Sequence, residues 1–240
     1  MRAEEPNNLE NAVSLQELNR EIDLLLYAIS HDLRAPLRAI DGFSEALLED
    51  YTDVLDDMGK DFIKRIQKAG KLLGRYIDAA LNVSRQTRGE MSLEDVDLSA
   101  LAHQITEALI NRQPERKVSF IIEDKINTFG DKRLLAILLE TLFDNAWKFT
   151  SKNDVATIIE FNVREENGKN VFFLSDNGVG FDMEYANRRL FGLFQRMHSE
   201  DKFEGIGTGL ATAKRIINRH GGRIWAESKV NEGSTFFFNL

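Results

Sequence analysis

Apolar residues in the N-terminal third of the chain fall alternately three and four apart: Leu15, Leu18, Ile22, Leu25 and Ile29, then Leu37, Ile40, Phe43 and Leu47. That spacing is a heptad seam, and a helix carrying one needs a partner helix. A polar stretch over residues 49–61 separates it from a second three-four series, Phe62, Ile66, Ala69, Leu73, Tyr76, Ala80 and Val83. Two long helices with a short connection make an antiparallel hairpin. One hairpin leaves its seam half covered, whereas two copies close it into a four-helix bundle, so the expected state is a homodimer.

Composition excludes several classes of function. A 240-residue chain that is 42% hydrophobic and 29% charged has the balance of a soluble globular protein, with room for one large or two small domains. A formal net charge of -8 argues against a nucleic-acid backbone or an anionic membrane as the main partner. There is no cysteine, which removes disulfide and thiol chemistry and suits a reducing, cytoplasmic location. The opening MRAEEPNNLENAVSL lacks the apolar core of a signal peptide, and no stretch approaches the ~18 apolar residues of a transmembrane segment.

The heptads stop around Thr87–Ser99, and the texture changes. VSFIIED at 118–124 is a β-branched run, Asp131–Thr150 is an amphipathic helix, and two strands flank the turn Asn167-Gly168. A glycine-rich region from Gly178 to Gly209 precedes a helix ending at glycines, then strands RIWAES and STFFFNL. The expected fold is α+β: a lead-in over 1–14, a helical hairpin over 15–90 that forms a dimeric bundle, and an α/β sandwich with a mostly antiparallel sheet over 95–240.

Within the first helix, AISHDLRAPLRAI sets His31 beside Asp32 and places Pro36 where a helix bends. At ~100° per residue His31 lies roughly 200° around from the seam residue Ile29, on the outer face. A neutral imidazole nitrogen is a competent nucleophile near neutral pH, and an adjacent carboxylate can hold the other ring N–H. A surface histidine next to a surface acid would read the same way. In the second half, DNGVG at 176–180 follows a strand and GIGTGL at 205–210 opens a helix. With DNAWKFT at 144–150 they supply an acid for an exocyclic amine, backbone N–H groups for phosphates, an amide oxygen for Mg²⁺ and a lysine for phosphate charge. Neither a Walker P-loop nor a Rossmann fingerprint occurs.

Five boxes in order, SHDLRAPL, DNAWKFT, DNGVGF, LFGLFQRM and GIGTGL, resemble the catalytic core of two-component sensor histidine kinases of the phytochrome-like, PAS-linked branch. The resemblance implies a dimerisation and phosphotransfer hairpin followed by a Bergerat-type ATP-binding domain. It implies ATP-dependent phosphorylation of His31, with Asp32 as acid–base partner, and transfer to an aspartate of a response-regulator receiver domain. Asn145 would ligate Mg²⁺, Lys148 would contact phosphates, and Asp176 would bind the adenine amine, with Gly178 and Gly180 permitting close approach. Gly205, Gly207, Thr208, Gly209 and Leu210 would close a mobile lid anchored by Phe191 and Phe194, and Glu140 would assist metal or base chemistry. An upstream sensory domain is implied that these residues do not include.

Two positions depart from the family pattern. Thr141 replaces a second asparagine four residues before Asn145, and Ala35 replaces a threonine or asparagine four residues after His31. His103, His198 and His220 read as a helix-face residue, a lid residue and a cation at a helix end. Phe236, Phe237 and Phe238 read as alternating strand residues, core and edge, and Phe191 and Phe194 also admit a core reading. A conformational ATPase of the same nucleotide fold and a nucleotide-binding scaffold stay open as alternatives.

Overall fold

The computed structural model describes residues 6–151, 156–186, 189–199 and 203–240, with side chains described from Glu21 onward except Ile22 and Asp23. Part of the lead-in, residues 1–5, and the side chains of Leu15, Leu18 and Ile22 therefore lie outside the described residues. The chain divides into two compact units, Met1–Arg85 and Gln86–Leu240.

The first unit is a helical hairpin. Helix α1 (Pro6–Asp50) runs 45 residues and stays helical through Pro36, and α2 (Asp57–Gln86) follows a short turn. Proline removes one backbone hydrogen bond, which the long flanking turns tolerate. The hairpin closes on only part of the series the spacing marks: Leu37 is half-buried and Ala80 and Val83 are buried. Leu37 of α1 sits in a notch on α2, where a Cβ on Gly70 or Gly74 would lie 3.6 or 3.3 Å from its methyls. Arg34 pairs with Asp78 at 2.7 Å, and Ser44 is buried, its hydroxyl donating to the Ile40 carbonyl. The marked residues Ile29, Ile40, Phe43, Leu47, Phe62, Ile66 and Leu73 instead remain 43–74% exposed. The marked series is thus divided, part of it used within the hairpin and part left exposed.

The second unit is a two-layer α/β sandwich. Strand β1 (Leu93–Asp97) pairs antiparallel with β3 (Asn127–Asp131) as a short ribbon. The main sheet has the order β2-β4-β5-β7-β6, formed by Val118–Ile122, Thr157–Glu166, Lys169–Asp176, Gly233–Phe238 and Ile224–Lys229; only β2 and β4 run parallel. Helices α3 (Leu98–Arg112), α4 (Lys132–Phe149) and α6 (Gly209–Arg219) form the other layer, with a single turn α5 (Met183–Ala186) between β5 and α6. The centre of the core is α4, whose Leu134, Leu135, Leu138, Leu139, Leu142 and Phe143 are fully buried, each contributing about 1.5–3 kcal/mol of transfer free energy. Asp131 caps α4 by accepting from the Leu134 N–H at 2.9 Å, and Asp97 caps α3 in the same way.

The β4–β5 hairpin turns at Asn167 and Gly168, both with positive φ, as the Asn-Gly pair demands. The ribbon strands β1 and β3 carry no apolar alternation and were not legible in the sequence. Phe236 and Phe238 enter the core as alternation predicts. Phe237 corrects the expected edge position: it lies on the opposite sheet face and is still only 4% exposed, stacked on Trp225 and covered by the Arg164 guanidinium 4.7 Å above its ring.

Candidate active site

Between the end of α4 and the start of α6 lies a cavity of about 300 Å³. Asn145 and Lys148 reach it from α4, and Gly205, Gly207, Thr208, Gly209 and Leu210 from the opposite side; Gly180 completes the sequence-marked set. Proximity is tight. A Cβ on Gly205 would lie 3.3 Å from the Lys148 Nζ, and one on Gly209 would lie 3.1 Å from the Thr141 Cγ2. The Lys148 ammonium also sits 4.2 Å over the Phe149 ring. Burial lowers its pKa, as does nearby Arg196, while Glu204 opposes them. Two cations at one end of a cavity call for an anion.

The start of α6 supplies the second anion-seeking feature. Thr208 occupies the N-cap position but makes no side-chain cap hydrogen bond, and no acid stands in the first turn. The first N–H groups of the helix, with the positive end of its dipole, are thus available to a phosphate at the cavity.

Asp176 lies beside this cavity. It lines a neighbouring recess of about 330 Å³, and Ser234 borders both. Its carboxylate is buried and accepts from the Gly178 N–H at 2.8 Å and from the Ser234 N–H. Burial pushes its pKa up to about 6, against the pull of those two N–H groups. Asn177 fixes the end of β5: its side chain accepts from the Ile158 N–H and donates to the Ala156 carbonyl. Gly178 abuts the end of α4, where a Cβ would lie 2.6 Å from the Phe149 carbonyl oxygen. Gly180 cannot be replaced without moving backbone, since its φ is +55° and a Cβ would lie 2.0 Å from the Lys229 carbonyl oxygen.

Glu140, Phe191 and Phe194 also stand apart from the cavity lining. Glu140 is exposed, Phe191 packs against the core, and Phe194 adopts φ +62° where its backbone meets Gly207. The Thr141 hydroxyl donates to the Ile137 carbonyl at 2.8 Å, so that it turns back onto its own helix.

His31 and Asp32 belong to the first unit and are both exposed, with Nδ1 and Oδ1 3.1 Å apart. If Nδ1 carries the proton it donates to Asp32, leaving the Nε2 lone pair toward solvent. His220 contradicts the expectation of a cation. It takes a hydrogen bond from the Asp131 N–H on Nε2 at 3.0 Å and approaches the Ile216 carbonyl through Nδ1 at 2.8 Å, which together define a neutral tautomer. Burial lowers its pKa accordingly.

Residues 21–89 match the family model of the His Kinase A (phospho-acceptor) domain, and residues 130–240 match that of the histidine kinase-, DNA gyrase B- and HSP90-like ATPases. The chain carries the catalytic core of a sensor histidine kinase. Cyanobacterial phytochrome B of Nostoc sp. is 34% identical over 230 residues, covering 95% of this chain and 30% of that protein. The methanogenesis regulatory histidine kinase FilI of Methanothrix harundinacea is 33% identical over 224 residues, covering 92% of this chain and 25% of that one. Full-length ShkA in complex with AMPPNP shares the fold, with a TM-score of 0.56 at 23% identity over 89% of this chain and 44% of its own. The kinase core therefore spans about 30% of the length of the curated relatives named first.

Several cavity residues of this kinase core were given no binding role by the sequence. Phe149, His198 and Phe203 form an aromatic trio, with centroids 5.0–5.3 Å apart, on the cavity wall. Arg196 donates to the Phe203 carbonyl at 2.7 Å. The adjacency of Phe149 to Lys148 in the DNAWKFT box and the lid reading of His198 hinted at its members, not at their contact.

Proposed function

We propose that this chain binds ATP in the α4–α6 cavity, phosphorylates its own His31 and passes the phosphoryl group to an aspartate of a response-regulator receiver domain. The observation that carries this reading is an exposed His31–Asp32 pair in the same chain as a cavity with Lys148 and an uncapped helix N-terminus. Lys148 and the α6 N–H groups hold the phosphates, and Asp176 accepts from the adenine amine. Asp32 holds Nδ1–H so that Nε2 attacks the γ-phosphorus; the bond from that phosphorus to the β,γ-bridging oxygen breaks and ADP leaves. Transfer of this kind rests on positioning and charge neutralisation.

Among the described residues no three His, Asp or Glu side chains cluster to hold an ion. Asn145 offers its amide oxygen at the cavity, which suits Mg²⁺, an ion that takes few protein ligands beside phosphates and water. Bound there, Mg²⁺ neutralises phosphate charge. The exposed stripe from Ile29 to Leu73 forms the seam of a homodimer. We assign the hairpin to residues 15–90 and the ATP-binding domain to 95–240. Among the described residues no helix is long and apolar enough to cross a membrane, and dependence on ATP places the activity in the cytoplasm.

Incubation with γ-labelled ATP and Mg²⁺ tests the reading. Acid-labile, base-stable label on the protein supports it; label that is acid-stable, or ATP hydrolysis with none, overturns it. Asp176 predicts a pH dependence. The ionised carboxylate accepts from an amine more strongly than the protonated acid does, so ATP affinity falls up to about tenfold as pH drops from 7.5 to 5, measured by titration calorimetry, and Asp176→Asn flattens the profile. Without nucleotide the sign reverses. A folded-state pKa raised above 3.8 contributes stability that is fully present below that value and is lost as pH rises through about 6.

Ala35 sets the reverse reaction. It is exposed one helical turn beyond His31, and a methyl group cannot orient an attacking water. Loss of aspartyl phosphate from a receiver domain is therefore slow in the presence of this protein and rises in Ala35→Thr. Rapid loss with the unsubstituted protein overturns this expectation.

A further inference from the structure

The first residues of the second unit have no regular structure after Gln86, yet their carbonyls are taken up one after another. Arg133 donates to the carbonyls of Gln86 at 2.7 Å and Arg88 at 3.3 Å. Arg219 donates to those of Thr87 and Gly89, the latter at 2.5 Å. Two guanidinium forks thus hold four consecutive carbonyls in alternation. Thr87 is 2% exposed, Gly89 turns the chain at φ +103°, and the Ser92 N–H donates to Asp131 Oδ2 at 3.0 Å.

The neighbours of the two arginines are joined as well, through the Asp131 N–H to His220 bond. Both stand on the helices that frame the cavity, at the ends away from it: Arg133 in the first turn of α4, Arg219 at the last residue of α6. A cation in a first helical turn opposes the macrodipole, so helix stability does not account for Arg133. Capture of the chain does. The captured residues lead directly out of α2, the second helix of the hairpin that bears His31.

We propose that Arg133 and Arg219 are positioning residues for autophosphorylation: they splint residues 86–92 onto the ATP-binding domain and so shorten the free tether between α2 and that domain. This rests on His31 being the phosphoacceptor. A released segment lengthens the tether by about six residues, up to ~20 Å of added reach. A longer flexible tether lowers the effective concentration of one domain at the other without altering either site.

The test uses the full chain with Arg133→Gln and Arg219→Gln combined. Autophosphorylation at saturating ATP falls about 5- to 20-fold, while the Kd for ATP stays within twofold and transfer from preformed phosphohistidine to a receiver domain is unchanged. The corresponding double lysine variant, which keeps charge without the fork, lies between the two. An unchanged or faster autophosphorylation rate overturns the proposal, and so does a weakened ATP affinity, which would make the pair a support of the pocket. Limited trypsin digestion reads the splint independently of chemistry: the Arg88–Gly89 bond is protected in the unsubstituted protein and cut faster in the glutamine variant. Equal cutting rates overturn the splint. Failure of the kinase reading itself shows differently, as absence of acid-labile label on the unsubstituted protein.

Discussion

His31→Gln abolishes autophosphorylation, lowering label incorporation at least ~1000-fold, while ATP binding is retained with unchanged affinity. The reason is partition of labour between two units: the nucleophile stands on α1, and the cavity is built wholly from residues of the second unit. Glutamine approximates the size of imidazole and offers an amide in place of a nucleophilic ring nitrogen, so an exposed helix position accepts it without cost to the hairpin. Quantified label from γ-labelled ATP, beside calorimetric ATP binding, checks both halves. Retained label on the variant would remove His31 from the mechanism, and lost ATP binding would show that the units do not separate the two tasks.

Asp176→Asn weakens ATP binding about 10- to 100-fold, the worth of a charge-assisted hydrogen bond replaced by an amide that presents a donor to a donor. Stability moves the other way. Burial penalises the ionised carboxyl, while an amide oxygen still accepts from the Gly178 and Ser234 N–H groups, so Tm at pH 7 is unchanged or higher. Asn145→Ala abolishes Mg²⁺-dependent autophosphorylation and also leaves the oligomer intact, because the exposed hairpin stripe lies in the other unit. Calorimetry, thermal melts and light scattering separate these effects. Either variant autophosphorylating at the normal rate would show the site to be misplaced.

The sequence alone carried the hairpin, because a three-four apolar repeat over tens of residues has one economical solution, and it carried the cavity, because close backbone approach needs glycine wherever it occurs. It also carried the Asn-Gly turn, because that pair favours the positive φ values such a turn needs. Periodicity could not say which members of the marked series close the hairpin and which stay exposed. That choice depends on Leu37 meeting Gly70 and Gly74 across the helices, a contact with no local signature. The neutral state of His220, the concealment of Phe237 under Arg164 and the aromatic trio on the cavity wall are likewise products of long-range packing.

What the sequence determined, then, is local: helix faces, turns, and the residue types that the boxes bring to chemistry. Only the tertiary structure decided that the segment after the hairpin is held along its carbonyls by Arg133 and Arg219, 47 and 132 residues away at the farthest bonds, from Gln86 and Thr87. Backbone carbonyls are the same at every residue, so no spacing of side chains announces which of them a distant guanidinium will take.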